Sequence, residues 1–355
     1  MGVRAHGAPP DRQVEAPRAA AGKTVETLSS RAMPFVSFVV VHWRDRARLV
    51  RCLEALRRDV EACAGADDAG DLVELILVEN GASARRDGAA ASLDAVWPDR
   101  LRVPMDVNLG FAAGANAGIA LARGCWIATL NDDTEVEPGF LASLLSAAEA
   151  AGPRCGMLQP CMVQADDDGL IDSTGVSILH GGSIEDRDHG RPRGRERGTA
   201  RVFCASAGAA WYRREMLREV APDGLVFDPD YFMYFEDVDL GWRCRLAGWE
   251  AAYVPDAVVR HGRHGSSEAQ RSGFVRRQCM QNRLRVVLAN GSRRFIVSAF
   301  PRLARDVGGL VLDQGWRGIR EVARSLSSGL AARRAVPEAA RAARSSVERT
   351  WFEEP

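Results

Sequence analysis

The period of the apolar positions changes repeatedly along the chain, and each change marks an element. Phe35 to Val41 is a short β-branched apolar run without alternation, the pattern of a parallel strand buried on both faces. Leu49, Cys52, Leu53, Leu56, Val60 and Cys63 then recur at helical spacing. Leu72 to Val78 repeats the strand pattern and ends at Glu79-Asn80-Gly81, and Leu101-Arg102-Val103 predicts a third strand. The Ala- and Gly-rich stretch from Phe111 to Arg123 reads as helix, Trp126 to Leu130 as the next strand, and Pro138 as the opening of another helix. Alternating β and α units of this length predict an α/β fold built on a doubly wound, mostly parallel sheet. Ligands of such sheets sit at the carboxyl ends of the strands, so the polar groups found there are the ones to examine.

Outside this core the pattern weakens. Residues 1–33 have no period and no apolar centre, and are expected to be a disordered leader. Residues 180–200 are charged and Gly-rich and read as a mobile surface loop. The catalytic unit is expected over 34–270, followed by a basic, amphipathic helical extension over 271–355. There, Pro301 and the Gly pairs predict several short helices rather than one long one.

Composition narrows the function classes. Lysine and arginine balance aspartate and glutamate at 47 each, which argues against nucleic acid as a partner. The charge is uneven, however: from Arg271 to Arg334 fourteen arginines face only Asp306, Asp313 and Glu321. Eight cysteines without a CxxC pair fit a reducing, cytoplasmic compartment better than a disulfide framework. No apolar run approaches the roughly 18 residues that span a bilayer. The chain is therefore expected in the cytoplasm, with the basic helices as its means of lying on the inner face of the plasma membrane.

Four constellations carry candidate chemistry. Asn131-Asp132-Asp133 follows a strand directly, and two adjacent carboxylates there suit a hard divalent cation that also bridges diphosphate oxygens; alone, the same triplet is an ordinary polar turn. Asn108-Leu109-Gly110-Phe111-Ala112-Ala113-Gly114-Ala115-Asn116-Ala117-Gly118 spaces three glycines by four. That spacing admits either the close approach of a bulky ligand or tight packing of a helix on the sheet. Phe227 to Arg243 holds five acids and six aromatics; aromatic faces suit sugar rings. A helix beginning near Asp237 would keep a first-turn carboxylate ionised, the state a general base needs. His261, with His264 three residues on, closes a further strand over Ala251 to Val259 and is a candidate ligand.

In this order the segments resemble glycosyltransferase family 2, especially its rhamnosyltransferase-like branch. The likeness runs over about residues 34–290. It rests on the opening strand VSFVVVHW, on Val78-Glu79-Asn80-Gly81-Ala82-Ser83, on the Asn108–Gly118 block, on Asn131-Asp132-Asp133, on Phe227 to Arg243, and on Gly248-Trp249, Pro255 and His261. The resemblance implies a GT-A fold, Rossmann-like, with a C-terminal helical extension. It implies an inverting glycosyltransferase of the hexosyltransferase type (EC 2.4), active in cell-surface or cell-wall polysaccharide synthesis. The donor would be a nucleotide diphosphate sugar, dTDP-rhamnose first and UDP-sugars next. The acceptor would be a saccharide or polyprenyl-linked hydroxyl.

Residue by residue, the resemblance puts Glu79 at the base and makes Asn108, Gly110, Phe111, Gly114 and Asn116 the lining of the nucleotide pocket. Asn131 and Asp132 would lie near ribose or diphosphate. Asp133 and His261 would hold Mn²⁺ or Mg²⁺. Asp237 would be the base, with Glu236 as the other carboxylate candidate. Glu79 departs from the family's usual Asp, and Asn131 from the first acid of its D-x-D element. Two other readings stand beside this one: a sugar-phosphate nucleotidyltransferase, disfavoured by His42-Trp43-Arg44-Asp45 where a Lys-bearing phosphate loop belongs, and an inactive scaffold. The basic helices are expected to meet an anionic membrane surface, to pack on the catalytic unit, or to form a homodimer.

Overall fold

The computed structural model describes residues 35–64, 72–81, 90–196, 201–262 and 268–352. The leader and His264 lie outside them. The elements run β1 (Val36–His42), α1 (Arg46–Ala64), β2 (Val73–Asn80), α2 (Ala90–Val96), β3 (Leu101–Met105), α3 (Gly110–Ile119), β4 (Trp126–Asn131), β5 (Thr134–Val136) and α4 (Phe140–Ala150). Then follow β6 (Cys155–Gln164), β7 (Ile171–Ser173), β8 (Val176–Ile178), β9 (Ile184–Asp186), β10 (Arg201–Val202), β11 (Ala209–Arg213), α5 (Arg214–Val220), α6 (Glu236–Leu246) and β12 (Glu250–His261). Four helices finish the chain: α7 (Glu268–Asn290), α8 (Arg293–Gln314), α9 (Trp316–Ala335) and α10 (Glu338–Trp351).

Ten strands form one sheet among the described residues, in the order β10-β12-β6-β11-β4-β1-β2-β3, with β5 on β12 and β7 on β6. From β3 to β4 the pairing is parallel; β11 enters antiparallel between β4 and β6, and β12 runs parallel to β6. The α/β expectation holds, and the parallel half is the one that the sequence pattern made plainest. The alternation along β1 explains the layering. Val36, Phe38 and Val40 pack with Leu49, Leu53 and Leu56 of α1 and with Phe140, Leu141 and Leu144 of α4. Val39 packs on the other face with Ala112, Ala115 and Ile119 of α3. A strand covered on both sides has no polar face to keep, hence its unbroken apolar run.

Two expectations are corrected. Residues 180–196 are not a bare surface loop: β9 pairs with β8, and Arg187 and Asp188 are buried. Arg187 reaches Thr174 Oγ1 at 2.9 Å and Asp188 Oδ2 at 3.2 Å. Polar residues there are spent on each other rather than on water. The C-terminal helices are also longer than predicted, because α8 passes through Pro301. Pro301 lies on the exposed side of α8, and so does Val297, whose carbonyl loses its intrahelical donor to the proline and can be met by water.

The glycines of α3 set how closely that helix lies on the sheet. A Cβ at Gly114 would come within 2.8 Å of a Val41 methyl, and one at Gly118 within 2.5 Å of a Val39 methyl. Replacing Gly118 by Ala gains about 1 kcal/mol of helix propensity. It also overpacks against a stiff β-branched neighbour, at a cost of about 1–3 kcal/mol. Gly118→Ala is expected to lower stability by about 1 kcal/mol or more in urea unfolding; an unchanged or raised midpoint would mean that the helix can lift from the sheet without loss.

Candidate active site

The strand ends meet as the register dictates. Val41 lies beside Asn131 and His42 beside Glu79, so the carboxyl edge of β1, β2 and β4 gathers His42, Glu79, Asn80 and Asn131. The chain turns after β4 and returns as β5, which pairs antiparallel with the end of β12 and sets Thr134 opposite His261. Gly262 N donates to Asp133 O at 2.8 Å. This pairing brings residues 128 positions apart together: His261 Nε2 lies 3.4 Å from Asp133 Oδ1 and 3.3 Å from Asn131 Nδ2.

Asp172, on β7, completes the arrangement, its Oδ2 lying 2.8 Å from His261 Nδ1. An ionised carboxylate only accepts, so Nδ1 carries the proton and Nε2 is the atom turned to Asp133. Burial, the largest influence on this ring, favours its neutral form. The hydrogen bonds and charges of Asp133 and Asp172 together outweigh burial and raise the His261 pKa to about 9. Asp132 points elsewhere: its Oδ2 is 2.6 Å from Nδ1 of the buried His42, and burial lifts its pKa against the pull of that ring.

Asp237 stands in the first turn of α6, its Oδ1 accepting from Val238 N at 2.8 Å and its Oδ2 from Ala207 N at 3.0 Å. The next residue, Gly208, accepts Asn131 N through its carbonyl at 2.9 Å. Two consecutive residues thus tie Asp237 to the Asn131–Asp133 turn. Burial raises the Asp237 pKa to about 6, the Ala207 amide pulls it down, and Asp186 of β9 adds to the rise. Glu236 is buried, and its pKa is raised well above the ordinary carboxylate value by burial first and by Asp237 next. Burial thus pushes both carboxyls of this adjacent pair upward, Asp237 to about 6 and Glu236 well above its ordinary range, the kind of shift that suits groups for acid and base work.

The Asn108–Gly118 block makes close contacts within the protein. Gly114 and Gly118 admit the sheet, as above. Gly110, at φ +85°, admits the backbone of Phe232, whose carbonyl accepts Ala112 N at 3.1 Å. Phe111 faces inward on Phe227, with ring centroids 5.8 Å apart. Asn116 spends both ends of its amide on Phe227, donating to its O at 2.6 Å and accepting its N at 2.9 Å. These contacts fix α3 against the sheet and against the Phe227–Phe232 segment. Asn108 Oδ1 accepts Gly110 N at 2.9 Å and Asn80 Nδ2 at 3.0 Å, which fixes the entry to α3. Glu79 is buried and paired: Arg102 Nη2 donates to its two oxygens at 2.9 and 2.8 Å, and the half-exposed partner is Arg102.

Sequence reasoning passed over His42, Arg102, Asp172 and Asp186. His42 closes the first strand, and its position alone marked it. A lone acid between Ile171 and Ser173 in a strand-like triplet was the signal for Asp172. For Arg102 and Asp186 no local signal exists, since each acts on a carboxylate brought to it by the fold.

Comparison with known proteins places the chain. The family model described as glycosyltransferase-like family 2 matches residues 33–283. The chain belongs to that family. The N-acetylglucosaminyl-diphospho-decaprenol L-rhamnosyltransferase of Mycobacterium tuberculosis (strain CDC 1551 / Oshkosh) is 30% identical over 213 residues, which are 53% of this chain and 66% of that protein, a little under two thirds of its length. The succinoglycan biosynthesis protein ExoO of Rhizobium meliloti (strain 1021) is 34% identical over 122 residues, 34% of this chain and 31% of that one. Among solved structures, S. aureus TarS 1–349 in complex with UDP-GlcNAc matches with TM-score 0.53 at 14% identity, covering 86% of this chain and 83% of that one. GalNAc-T7 with UDP, GalNAc and Mn²⁺ also gives 0.53, at 17% identity, over 74% and 49%. The fold of this family-2 chain is therefore the GT-A fold with helices appended at the C-terminus.

Proposed function

We propose that this family-2 chain is an inverting glycosyltransferase that moves a sugar, rhamnose from dTDP-rhamnose by preference, to a hydroxyl of a polyprenyl-diphosphate-linked saccharide. The observation that carries the reading is the convergence of Asp133, His261 and Asp237 on one strand edge, joined through Ala207 and Gly208. In this reading Asp237 accepts the proton of the acceptor hydroxyl. The oxygen so freed bonds to the anomeric carbon, the bond from that carbon to the diphosphate breaks, and the configuration inverts. The favoured donor and the lipid-linked acceptor are supported by the mycobacterial relative's name.

The donor set fits a divalent cation. A carboxylate and an imidazole nitrogen 3.4 Å apart, the imidazole aimed by a second carboxylate, are the usual protein share of a site completed by substrate phosphates. Asp133 and His261 would hold the ion, which supplies Lewis-acid neutralisation of the diphosphate leaving group.

The basic helices support a place for the enzyme on the membrane that carries such an acceptor. No helix among the described residues is long and apolar enough to cross a membrane. Instead α8 exposes Val297, Phe300 and Leu312, and α9 exposes Trp316, Ile319, Leu326 and Leu330. Leu312 is 87% and Trp316 72% exposed. Arg293, Arg294, Arg305, Arg317, Arg320 and Arg324 flank them in the open. Aromatic and aliphatic groups bordered by arginine suit the headgroup plane of an anionic leaflet.

Given dTDP-rhamnose and a GlcNAc-diphospho-polyprenol, the protein should form a rhamnosylated lipid of inverted anomeric configuration, read by NMR; release of free rhamnose alone would overturn the transfer. Asp237→Asn should lower turnover 10²-fold or more. In the wild type, kcat/KM should rise with pH through about 6, as Asp237 loses its proton; a flat profile from pH 5 to 7 would remove Asp237 from the base role. EDTA should abolish transfer and Mn²⁺ or Mg²⁺ restore it, and full activity in chelator would exclude the metal. In flotation, the protein should rise with anionic vesicles, less so at high salt, and Phe300→Ser with Trp316→Ser should stop it. Recovery of a dimer with no flotation at low salt would assign this face to a second copy.

A further inference from the structure

The turn that leads into α6 is held in a conformation that its own residues disfavour. Phe232, Tyr234 and Phe235 have φ of +61°, +67° and +71°. None is Gly, Asn or Asp, the residues that tolerate this region, and each such residue costs about 1–3 kcal/mol unless its surroundings impose the geometry. Local hydrogen bonding accounts for Phe232 alone, through the Met233 N to Tyr231 O bond of 2.6 Å that spans it, while Phe235 caps α6 with no side-chain bond.

The imposing group comes from α7. Asn282 is buried, and the two N–H groups of its Nδ2 are shared among Tyr231 O at 3.0 Å, Met233 O at 2.9 Å and Tyr234 O at 2.7 Å. Gln278, one turn earlier, donates to Tyr231 O at 2.8 Å. Arg285, one turn later, lies over the Tyr231 ring at 4.7 Å and pairs with Asp228 at 2.5 Å. Residues 278, 282 and 285 share one face of a helix, and that face is laid along the turn. Further on, Asn290 Nδ2 donates to Asp239 Oδ1 at 2.8 Å within α6 itself. Between them the Asn282 and Gln278 amides supply donors to the carbonyls that a relaxed turn would otherwise send to water.

The turn ends one residue before Glu236 and two before Asp237, and it also supplies the Phe232 carbonyl that caps α3. We infer that Asn282 is a positioning residue for the transfer reaction: by holding the turn in which Phe232, Tyr234 and Phe235 have positive φ, it sets the start of α6 and hence the place of the Asp237 carboxylate. This rests on the reading of Asp237 as the base. The strain gives the inference its specific content, since a conformation enforced from outside is lost when the enforcing group goes, and glycine is the residue that adopts it unaided.

The test is a cycle of variants of the full chain assayed with dTDP-rhamnose and GlcNAc-diphospho-polyprenol. Asn282→Ala should lower kcat at least 10-fold, because a base displaced by about 1 Å can cost up to 10²-fold, while KM for the donor stays within about twofold. Adding Tyr234→Gly and Phe235→Gly to Asn282→Ala should recover several-fold of the lost kcat. Should Asn282→Ala not fold, Gln278→Ala, which removes one of the two side-chain donors to Tyr231 O, should show a smaller loss confined to kcat. Amide exchange over residues 232–238, measured without substrate, should speed up in Asn282→Ala while the exchange of β1 and β2 does not change.

A lowered melting temperature with kcat per folded molecule unchanged would overturn the inference, as would equal losses with and without the glycines. A wild type with no turnover would instead sink the transferase reading, and the exchange comparison would still decide whether Asn282 governs this turn.

Discussion

The site depends on the pairing of three residues, Thr134–Val136, with the end of a strand more than a hundred residues later in the chain. Without that antiparallel register Asp133 would be an acid in a polar turn and His261 a histidine at the end of a strand. With it, the two face each other, Asn131 joins them, and the backbone of Gly262 locks onto Asp133. A hydrogen-bonded ladder positions side chains more precisely than a loop does, because a slip of one residue would turn His261 to the opposite face of the sheet. Asp172 reaches His261 from a strand on the neighbouring edge, so the ring is fixed from both sides.

The second half of the site is built by different means. Asp237 stands on a helix whose entry is strained, and the compensating contacts come from α7, in a stretch that reads in sequence as a basic extension. The C-terminal helices are therefore more than an appendage. Their inner face shapes the turn beside Asp237, and α10 reaches the same region through Phe352, whose ring stacks edge-on against Trp242 of α6 at 5.3 Å. The outer faces of α8 and α9 keep their apolar side chains in the open.

Much of this was legible in the chain, for physical reasons. Strands buried on both faces announce themselves by unbroken β-branched runs, and polar residues that stop such runs fall on the ligand edge by topology. Asp132, Asp133 and His261 were found that way, and Asp237 by the acidic run that opens a helix. Glycine spacing, in contrast, states only that something approaches closely. In α3 the approaching partner is the sheet and the Phe232 backbone, which no count of glycines distinguishes from a nucleotide. Arg187 and Asp188 looked like a solvated loop because buried ion pairs and exposed charges have the same composition. Asn282 was invisible because its meaning lies in three carbonyls about fifty residues away. Arg102 escaped for the same reason, its partner Glu79 being set beside it by the β2–β3 register.

The central claim is that one strand pairing creates a two-residue ligand set for a cation. A crystal grown with dTDP and Mn²⁺ and measured at the manganese absorption edge tests it most directly. The account predicts one anomalous peak within about 2.0–2.3 Å of Asp133 Oδ1 and His261 Nε2, ordinary metal–ligand distances, with diphosphate oxygens completing the coordination. Nucleotide bound at the strand edge with no peak there, or a peak held by Asp132 and His42 instead, would contradict it.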